Sequence, residues 1–218
     1  MVRLPFGPAR DASDVQLASL LAPPLCWGCG AAARRGQPLC QACRAALSWL
    51  PAQRVTVGGV RAWAPLAYEG PARELVRALK YRGARGLADA MSALIAANAP
   101  PEALRGSLVP VPIPRGRLRG RGFNQAERLA AALARRTGLG LADCLERSGP
   151  AAPQVGRGRG ERVRAGGVSA AAAFVPADAL LVDDVITTGG TLAACAAALV
   201  GAGARDVRAV AYARTLAR

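Results

Sequence analysis

The chain has 218 residues, enough for one domain with a substantial core plus a small appendage and too few for two large domains. Hydrophobic residues make up 52% of it but aromatic residues only 4%, so the core must be built from small aliphatic side chains. The formal net charge of +15 favours polyanionic ligands, although genome base composition would raise the arginine content in the same way. Histidine is absent, so any metal site must use cysteine or carboxylate ligands.

The N-terminal region contains Asp11 and Asp14 where a secretory signal would have its apolar run. We therefore expect no signal peptide and a cytoplasmic location. Residues 185–204 carry no charge, but their threonines and glycines make them too polar and flexible for a transmembrane helix. We expect no membrane span.

The first half of the chain predicts a small module followed by strand and helix patterns. We expect a cysteine-bearing module over residues 1–50, a linker over residues 51–59 and the larger domain over residues 60–218. Within that domain, residues 61–68 have the composition of a strand. Pro71 then opens one helix, and a second helix is predicted over residues 86–98.

A basic segment follows the next predicted strand, at residues 107–112. Its arginines alternate with glycines and a leucine, so we expect a loop; they are Arg115, Arg117, Arg119 and Arg121. A helix is predicted over residues 124–137, from apolar side chains that repeat on one face. Residues 149–167 are rich in glycine, arginine and proline, and they predict a mobile loop.

The C-terminal third predicts a strand, a helix and a second strand. Residues 179–182 form an uninterrupted apolar run, which is typical of a central parallel strand buried on both faces. A helix over residues 191–200 and a strand over residues 207–212 follow. This order predicts a βαβ unit and an α/β fold with a mostly parallel sheet flanked by helices.

Four cysteines near the N-terminus have the spacing of a zinc site. Two Cys-x-x-Cys pairs are separated by ten residues; the four are Cys26, Cys29, Cys40 and Cys43. Two such turns can complete a tetrahedron of thiolates around Zn²⁺, and a closed site of this kind is structural. Disulfide pairing is the alternative, which a cytosolic location disfavours. Cys144 and Cys195 lie far from these pairs, and we expect them to be small buried residues.

The segment LLVDDVITTGGT, residues 180–191, carries the functional prediction. A buried strand delivers Asp183 and Asp184 to its carboxyl end, where open α/β sheets bind ligands. The glycines and threonines that follow can wrap amides and hydroxyls around a phosphate at the start of a helix. Carboxylates beside a phosphate cradle suit a sugar phosphate.

These residues resemble the signature of type I phosphoribosyltransferases, which binds 5-phosphoribosyl-1-pyrophosphate (PRPP). The wider pattern resembles the ComF family of phosphoribosyltransferase-like competence proteins, in which a four-cysteine module and the motifs LVRALKYRG and VPVPIPRGRLRGRGFNQAERLA precede the aspartates. The resemblance spans about residues 17–214. It implies a type I phosphoribosyltransferase-like α/β fold, structural zinc, Mg²⁺ with PRPP, and a link to DNA uptake in natural transformation.

The resemblance assigns site residues position by position. Asp183 and Asp184 would contact the ribose and stabilise its cationic transition state. The 5′-phosphate would be bound by Thr187, Thr188, Gly189, Gly190 and Thr191. Arg115 and the RGFN residues, with Arg121 and Asn124, would lie near pyrophosphate, while Gln154 and Arg162 match a mobile loop. The family usually has an asparagine where this chain has Ala165. Independently, Lys80 is either a phosphate contact or a helix-end cation.

Three functions remain open at this point. A phosphoribosyltransferase would displace pyrophosphate from PRPP with a nitrogen nucleophile, using Mg²⁺ on the substrate oxygens. A non-catalytic PRPP sensor or single-stranded-DNA-binding protein could use the same fold, with DNA-uptake proteins as partners. An adaptor could recruit a protein through its zinc module.

Overall fold

The computed structural model describes residues 24–147, 162–165, 167–171 and 175–216, and for residues 162–165 only the backbone. Its main sheet contains six of the described strands in the order β1-β2-β9-β8-β4, with β3 also paired to β9. These strands are β1 Val55–Val57, β2 Val60–Trp63, β3 Leu66–Ala67, β4 Ser107–Pro110, β8 Asp178–Ile186 and β9 Asp206–Arg214. All their pairings are parallel except that of β1 with β2. The predicted mostly parallel sheet is confirmed.

A smaller antiparallel sheet lies outside the main one. It contains β5 Leu145–Arg147, β6 Arg162–Ala165 and β7 Val168–Ala171, with β7 in the middle. Its strand β6 falls within the range predicted to be a mobile loop, so that prediction is wrong for residues 162–165. Alternating Val163 with arginines gives this stretch the period of a strand. Residues 149–161 lie outside the described part.

Six helices are described, and most agree with the predicted ranges. They are α1 Gln41–Ala45, α2 Gly70–Tyr81, α3 Leu87–Asn98, α4 Arg115–Arg121, α5 Gln125–Thr137 and α6 Gly190–Gly201. Pro71 stands in the first turn of α2, where its missing N–H costs nothing. In the described part of the chain, no helix has the length and apolar character needed to cross a membrane.

The main sheet is covered on both faces, as a parallel sheet requires. Apolar side chains of α2, α3 and α5 pack on one face, against residues such as Val182, Val210 and Tyr212. Helix α6 and the small sheet cover the other face, where Leu181 and Ala211 are buried. Cys144 and Cys195 are both buried on that second face, which confirms their predicted burial.

The segment predicted as a linker, residues 51–59, contributes to the sheet. Val55–Val57 form the edge strand β1, with Val57 opposite Val60, so Gly58 and Gly59 make a two-residue hairpin turn. Both glycines have positive φ angles, of 59° and 77°, as such turns require. The linker prediction is therefore wrong for residues 55–59, because β-branched residues followed by Gly-Gly form a hairpin.

The segment predicted as an arginine loop forms helix α4. Pro114 precedes its first residue, and Gly122 ends it in the left-handed conformation at φ 73°. Arginine is a strong helix former, and the terminal glycine allows the helix to end there. The loop prediction is therefore wrong for residues 115–121, although all four arginines lie in the intermediate or exposed class.

Strand β8 is longer than the predicted residues 179–182. It runs to Ile186, because Val185 and Ile186 pair with Ala213 and Arg214 of β9. Asp183 and Asp184 therefore lie within the paired part of the strand, near its end, and the loop after the strand begins at Thr187.

The cysteine-bearing segment packs directly on the larger unit. Cys26, Leu39 and Leu47 are buried in the same cluster as the side chains of α2 and α3. The backbone also connects them: Ala67 N–H donates to the carbonyl of Ser48 at 2.9 Å, and Leu50 N–H donates to that of Pro65 at 2.8 Å. Strand β3 thus links this segment to α2, which follows it.

Candidate functional site

The carboxyl end of β8 places two acidic side chains on opposite sides of the sheet. Asp184 is only 2% exposed, whereas Asp183 keeps partial exposure to solvent. The Asp184 N–H donates to Oδ1 of Asp183 at 2.7 Å, which fixes the first carboxylate against the strand. Side chains alternate along a strand, so adjacent acids face different neighbours.

Asp184 is paired with Lys80. Its Oδ2 lies 2.9 Å from Nζ of Lys80, whose side chain is 19% exposed. Lys80 stands in the last turn of α2, so the helix and the strand end are joined by an ion pair. From the sequence, Lys80 is either a phosphate contact or a helix-end cation. The structure shows that its partner is the carboxylate of Asp184. The motifs LKYRG and VDD therefore meet at one point.

Asp183 has a strongly altered acidity. Burial raises its pKa well above the ordinary 3.8, and the neighbouring Asp184 charge raises it further. The Asp184 N–H and the charge of Lys80 act in the opposite direction. A carboxylate held in this way is ready to accept a hydrogen bond from a neutral donor such as a sugar hydroxyl, which relieves the cost of its charge.

The loop after β8 leads directly into α6. Gly189 adopts φ 82° and precedes the first helical residue, Gly190. Thr187, Thr188 and Gly190 are exposed, while Gly189 is buried. Within the described residues, no backbone acceptor is found for the N–H groups of residues 187–191. Free amides at the positive end of a helix are suited to bind a phosphate.

The segment that follows β4 lies beside the acids. Val111 N–H donates to the carbonyl of Val182 at 3.0 Å, one residue before Asp183. Arg115, the first residue of α4, comes four residues later and is exposed. The predicted pyrophosphate segment is thus at the same edge of the sheet as the aspartates.

Arg121 and Tyr81 connect α4 to α2. The guanidinium of Arg121 lies 5.0 Å from the centre of the Tyr81 ring, and its Nη2 donates to the Tyr81 hydroxyl at 3.2 Å. Tyr81 is 70% exposed and adjoins Lys80 in the chain. Arg121 is therefore held against Tyr81, the residue after Lys80, and Tyr81 is a contact that the sequence did not reveal.

Phe123 lies between two further arginines. The guanidinium carbons of Arg85 and Arg128 are each 5.3 Å from the centre of its ring. Phe123 itself is 7% exposed, so the two cations rest on a fixed aromatic surface. This basic surface continues the one formed by Arg121 and Tyr81.

Asn124 is buried at the start of α5. It caps α5, accepting from Ala126 N–H at 3.0 Å, and its amide donates to the Val111 carbonyl at 3.1 Å and to Glu127 at 3.0 Å. The side chain is 3% exposed and its hydrogen-bonding groups are used internally. It orients the segment after β4, and its predicted place near pyrophosphate stays a prediction.

Two predicted lid residues cannot be placed in the same detail. Gln154 lies outside the described residues, and Arg162 belongs to β6, of which the backbone alone is described. One further cation, Arg147 at the end of β5, was not predicted. Its charge lowers the pKa of Cys195, while burial and the Asp183 charge raise that pKa to about 12, so both charges lie near this thiol. No strand was predicted at residues 145–147, so no sequence signal marked Arg147.

The four N-terminal cysteines form one cluster. Their Sγ atoms all lie within 4.8 Å of one another, and all four are free thiols. Cys29 and Cys40 are 3.7 Å apart, close to the roughly 3.8 Å that tetrahedral Zn–S bonds impose. N–H groups of Gly28 and Cys43 point at the sulfurs of Cys26 and Cys40. The cluster can hold a metal ion.

The acidity of Cys26 fits this role. Burial opposes ionisation of its thiol, but backbone N–H groups of the two cysteine turns and the Cys43 thiol outweigh burial and lower its pKa to about 6. Metal ligation requires the thiolate. Burial and the neighbouring thiols raise the pKa of Cys43 instead, so the suitability for a thiophilic cation such as Zn²⁺ rests on the four-thiol donor set and its spacing.

Solved structures with partial similarity are adenine phosphoribosyltransferases. The Saccharomyces cerevisiae enzyme, complexed with D-2,5-dideoxy-2,5-imino-altritol 1,6-bisphosphate and adenine, is 19% identical with a TM-score of 0.38, over 78% of this chain and 82% of that one. A second such structure gives 19% and 0.38, over 78% and 83%. The Thermoanaerobacter pseudethanolicus enzyme gives 15% and 0.36, over 74% and 94%.

No protein-family model matches the chain, and no curated protein does. TM-scores of this size do not establish a shared fold. The α/β architecture is therefore defined by the strand order itself, and any function proposed for the chain depends on its own residues.

The ion pair of Lys80 predicts a stability coupling. Lys80→Met leaves the Asp184 charge buried without its partner, so we expect a loss of about 3–5 kcal/mol in the free energy of unfolding by urea. In an Asp184→Leu background the same substitution should cost much less. Arg77→Met is the control, since Arg77 pairs with Glu74 at the surface. Equal costs in the two backgrounds would show that the pair is not coupled.

The raised pKa of Asp183 predicts a pH-dependent stability change. The unfolded carboxyl ionises near pH 3.8, so the cost of its buried charge grows above that pH and is complete above the folded-state pKa. Asp183→Asn should therefore raise the melting temperature at pH 7, by about 3 °C for each kcal/mol removed, and have little effect near pH 4. Asp178→Asn, exposed at the other end of β8, is the control. A gain that is the same at both pH values would contradict the prediction.

Proposed function

We propose that this protein binds PRPP at the carboxyl edge of its sheet and acts as a phosphoribosyltransferase of the ComF type. The observation that carries the proposal is the placement of Asp183, Asp184 and Lys80 next to the open amides of residues 187–191. Carboxylates for hydroxyl groups and amides for a phosphate then lie on one continuous segment. A phosphorylated pentose has both kinds of group.

The ribose and its 5′-phosphate are assigned to the end of β8 and to the loop. Asp183, which is partly exposed, accepts hydrogen bonds from ribose hydroxyls, while Asp184, buried and paired with Lys80, holds the end of the strand from the other face. The 5′-phosphate lies on residues 187–191, whose free N–H groups and threonine hydroxyls can surround it. The αL glycine Gly189 allows the chain to turn closely around this group.

The pyrophosphate of PRPP is assigned to the arginines of α4 and β5, at the carboxyl edge of the main sheet. Arg115 and Arg121 line the helix that follows β4, and Arg147 approaches from β5. Arg162 and Gln154 are proposed as lid residues, on the basis of the family resemblance. Mg²⁺ carried by PRPP would neutralise its pyrophosphate oxygens when bound. Arginine forks suit this leaving group because they bind phosphate oxygens in pairs.

The proposed reaction is a substitution at ribose C1′. The C1′–O bond breaks with its electron pair going to pyrophosphate, a C1′–N bond forms to the acceptor, and the acceptor nitrogen releases its proton. The ring carries positive charge in the transition state, and the carboxylate of Asp183, in its ionised form, can stabilise it. Arginines at α4 and β5 stabilise the charge that develops on the leaving group.

The cysteine cluster is proposed to hold a structural zinc ion. Its four thiols leave no open coordination position, so the ion has no part in the substitution. Its effect is to fix two chain turns that otherwise have few apolar side chains of their own. The resemblance to ComF proteins connects the protein to DNA uptake in the cytoplasm.

Single-stranded DNA is a second candidate ligand, favoured by one observation. Exposed Tyr81, the arginine beside it and the two arginines on buried Phe123 form a basic surface with one exposed aromatic ring, and cations beside an exposed ring are features that bind unpaired nucleic acid. A protein that senses PRPP and binds DNA on this surface would need no acceptor. Such binding weakens steeply with salt.

PRPP binding is tested by calorimetric titration of the zinc-loaded protein with PRPP and Mg²⁺. We expect saturable binding that falls at least about a hundredfold in the Asp183→Asn, Asp184→Asn double variant, because two hydrogen bonds to charged groups are lost. Asp178→Asn, on the same strand but at its far end, should bind as the wild type does.

The same titration separates the candidates. Release of pyrophosphate on addition of a nitrogen acceptor supports the transferase, whereas binding without release supports the sensor. If the folded wild type does not bind PRPP, the proposed site is wrong, and salt-dependent binding of single-stranded DNA becomes the leading function.

The zinc proposal is tested with Cys29→Ser. Cys29 is exposed, so the substitution removes a ligand without removing buried packing. We expect its metal content, measured by mass spectrometry, to fall and its melting temperature to drop by several degrees, with no further change on adding a chelator. Cys144→Ser should keep its metal. Unchanged metal content in Cys29→Ser would contradict the four-thiolate site.

A further inference from the structure

The hairpin of β1 and β2 ends against the loop that follows β8. Its turn consists of Gly58 and Gly59, because Val57 is already opposite Val60. A Cβ atom added to Gly58 would lie 2.5 Å from the carbonyl oxygen of Gly189 and 3.0 Å from its carbon. Since real Cβ atoms do not approach backbone so closely, the two chain segments are in direct backbone contact at this point.

The contact is reciprocal. A Cβ atom added to Gly189 would lie 2.5 Å from Cγ1 of Val57 and 2.7 Å from the nitrogen of Gly58. The hairpin also reaches the helix, because a Cβ atom on Gly58 would be 3.2 Å from that of Ala193. Val57 and Gly58 therefore touch both the loop and the first turn of α6.

The backbone of Gly189 determines how helix α6 begins. Its φ of 82° lies in the left-handed region, and its carbonyl accepts the N–H of Ala193 at 2.8 Å, the first hydrogen bond of α6. A displacement of this carbonyl would change the direction of the neighbouring amides, including those of Gly190 and Thr191. These are the amides assigned to the phosphate.

We propose that Gly58 is a positioning residue for the bound 5′-phosphate. The hairpin tip contacts Gly189 directly and holds the loop amides in the direction that a phosphate monoester requires. Only glycine at position 58 allows this contact. The inference rests on the proposed function, because it names the contact that orders the loop assigned to the 5′-phosphate, residues 187–191.

The hairpin provides its own matched control. Gly58 and Gly59 both have positive φ angles, of 59° and 77°, so alanine strains the turn at either position. A Cβ atom on Gly59 meets no atom within 4 Å, whereas one on Gly58 meets Gly189. Any difference between Gly58→Ala and Gly59→Ala therefore reports the contact with the loop and not the strain of the turn.

The first measurement is ligand affinity by calorimetry. PRPP and, separately, pyrophosphate are titrated with Mg²⁺ into the wild type and the two alanine variants. We expect Gly58→Ala to weaken PRPP binding by about tenfold or more and Gly59→Ala by less than about threefold, while pyrophosphate affinity stays the same in all three. Equal PRPP affinity in both variants, or a parallel loss of pyrophosphate affinity, would overturn the proposal.

The second measurement needs no ligand. Hydrogen exchange of the Ala193 amide, which is bonded to Gly189, should be faster in Gly58→Ala than in Gly59→Ala or the wild type. If the wild type does not bind PRPP, the proposed function fails, and this exchange rate still decides whether the hairpin supports the loop. Should Gly58→Ala not fold, Val57→Ala is the substitute, because it removes the contact of Cγ1 with Gly189. We expect it to make hydrogen exchange of the Ala193 amide faster.

Discussion

Two adjacent carboxylates at the end of a buried strand impose the main constraint on this structure. Charge is costly there, because the strand pairs with β9 up to its last residue and Asp184 is buried. Asp184 is compensated by Lys80 from helix α2, while Asp183 remains partly open to solvent with its pKa raised. The position at which α2 ends is thus determined by an electrostatic requirement as well as by packing.

Several separate motifs reach one edge of the sheet because of that requirement. Lys80 brings the end of α2 to the aspartates, and its neighbour Tyr81 then holds Arg121 of α4. Asn124 fixes the segment after β4 from the other side through the carbonyl of Val111. Each of these contacts is modest on its own, but together they place cations and acids within one small region.

The sequence predicted the elements whose patterns are local. The apolar run before Asp183, the proline at the start of α2 and the glycines after α6 all specify structure through neighbouring residues, and those elements were found. The arginine helix and the hairpin at residues 55–59 were missed, since their residues have the composition of a linker although their propensities and turn glycines favour regular structure.

The candidate site was only partly predictable, because sequence patterns reveal residues that are close together in the chain and not those that meet only in the fold. Asp183, Asp184 and the glycine-threonine loop are contiguous, so a motif reveals them. The partner of Lys80 lies 104 residues away, and the contact of Gly58 with Gly189 spans 131. Such pairings depend on the order of strands in the sheet, which no local pattern specifies. The bond of Asn124 to the Val111 carbonyl was likewise not predictable, because it is visible only once α5 and the segment after β4 are placed together.

The packing of the cysteine segment has a consequence for how the protein can be divided. Cys26, Leu39 and Leu47 share one apolar cluster with α2 and α3, and Ser48 and Leu50 are bonded to the chain around β3. A small segment that forms no part of a core can be exchanged between proteins without exposing apolar surface. The cysteine segment instead forms part of the core. Moving it to another protein would therefore leave an apolar surface both on the protein that loses it and on the one that receives it.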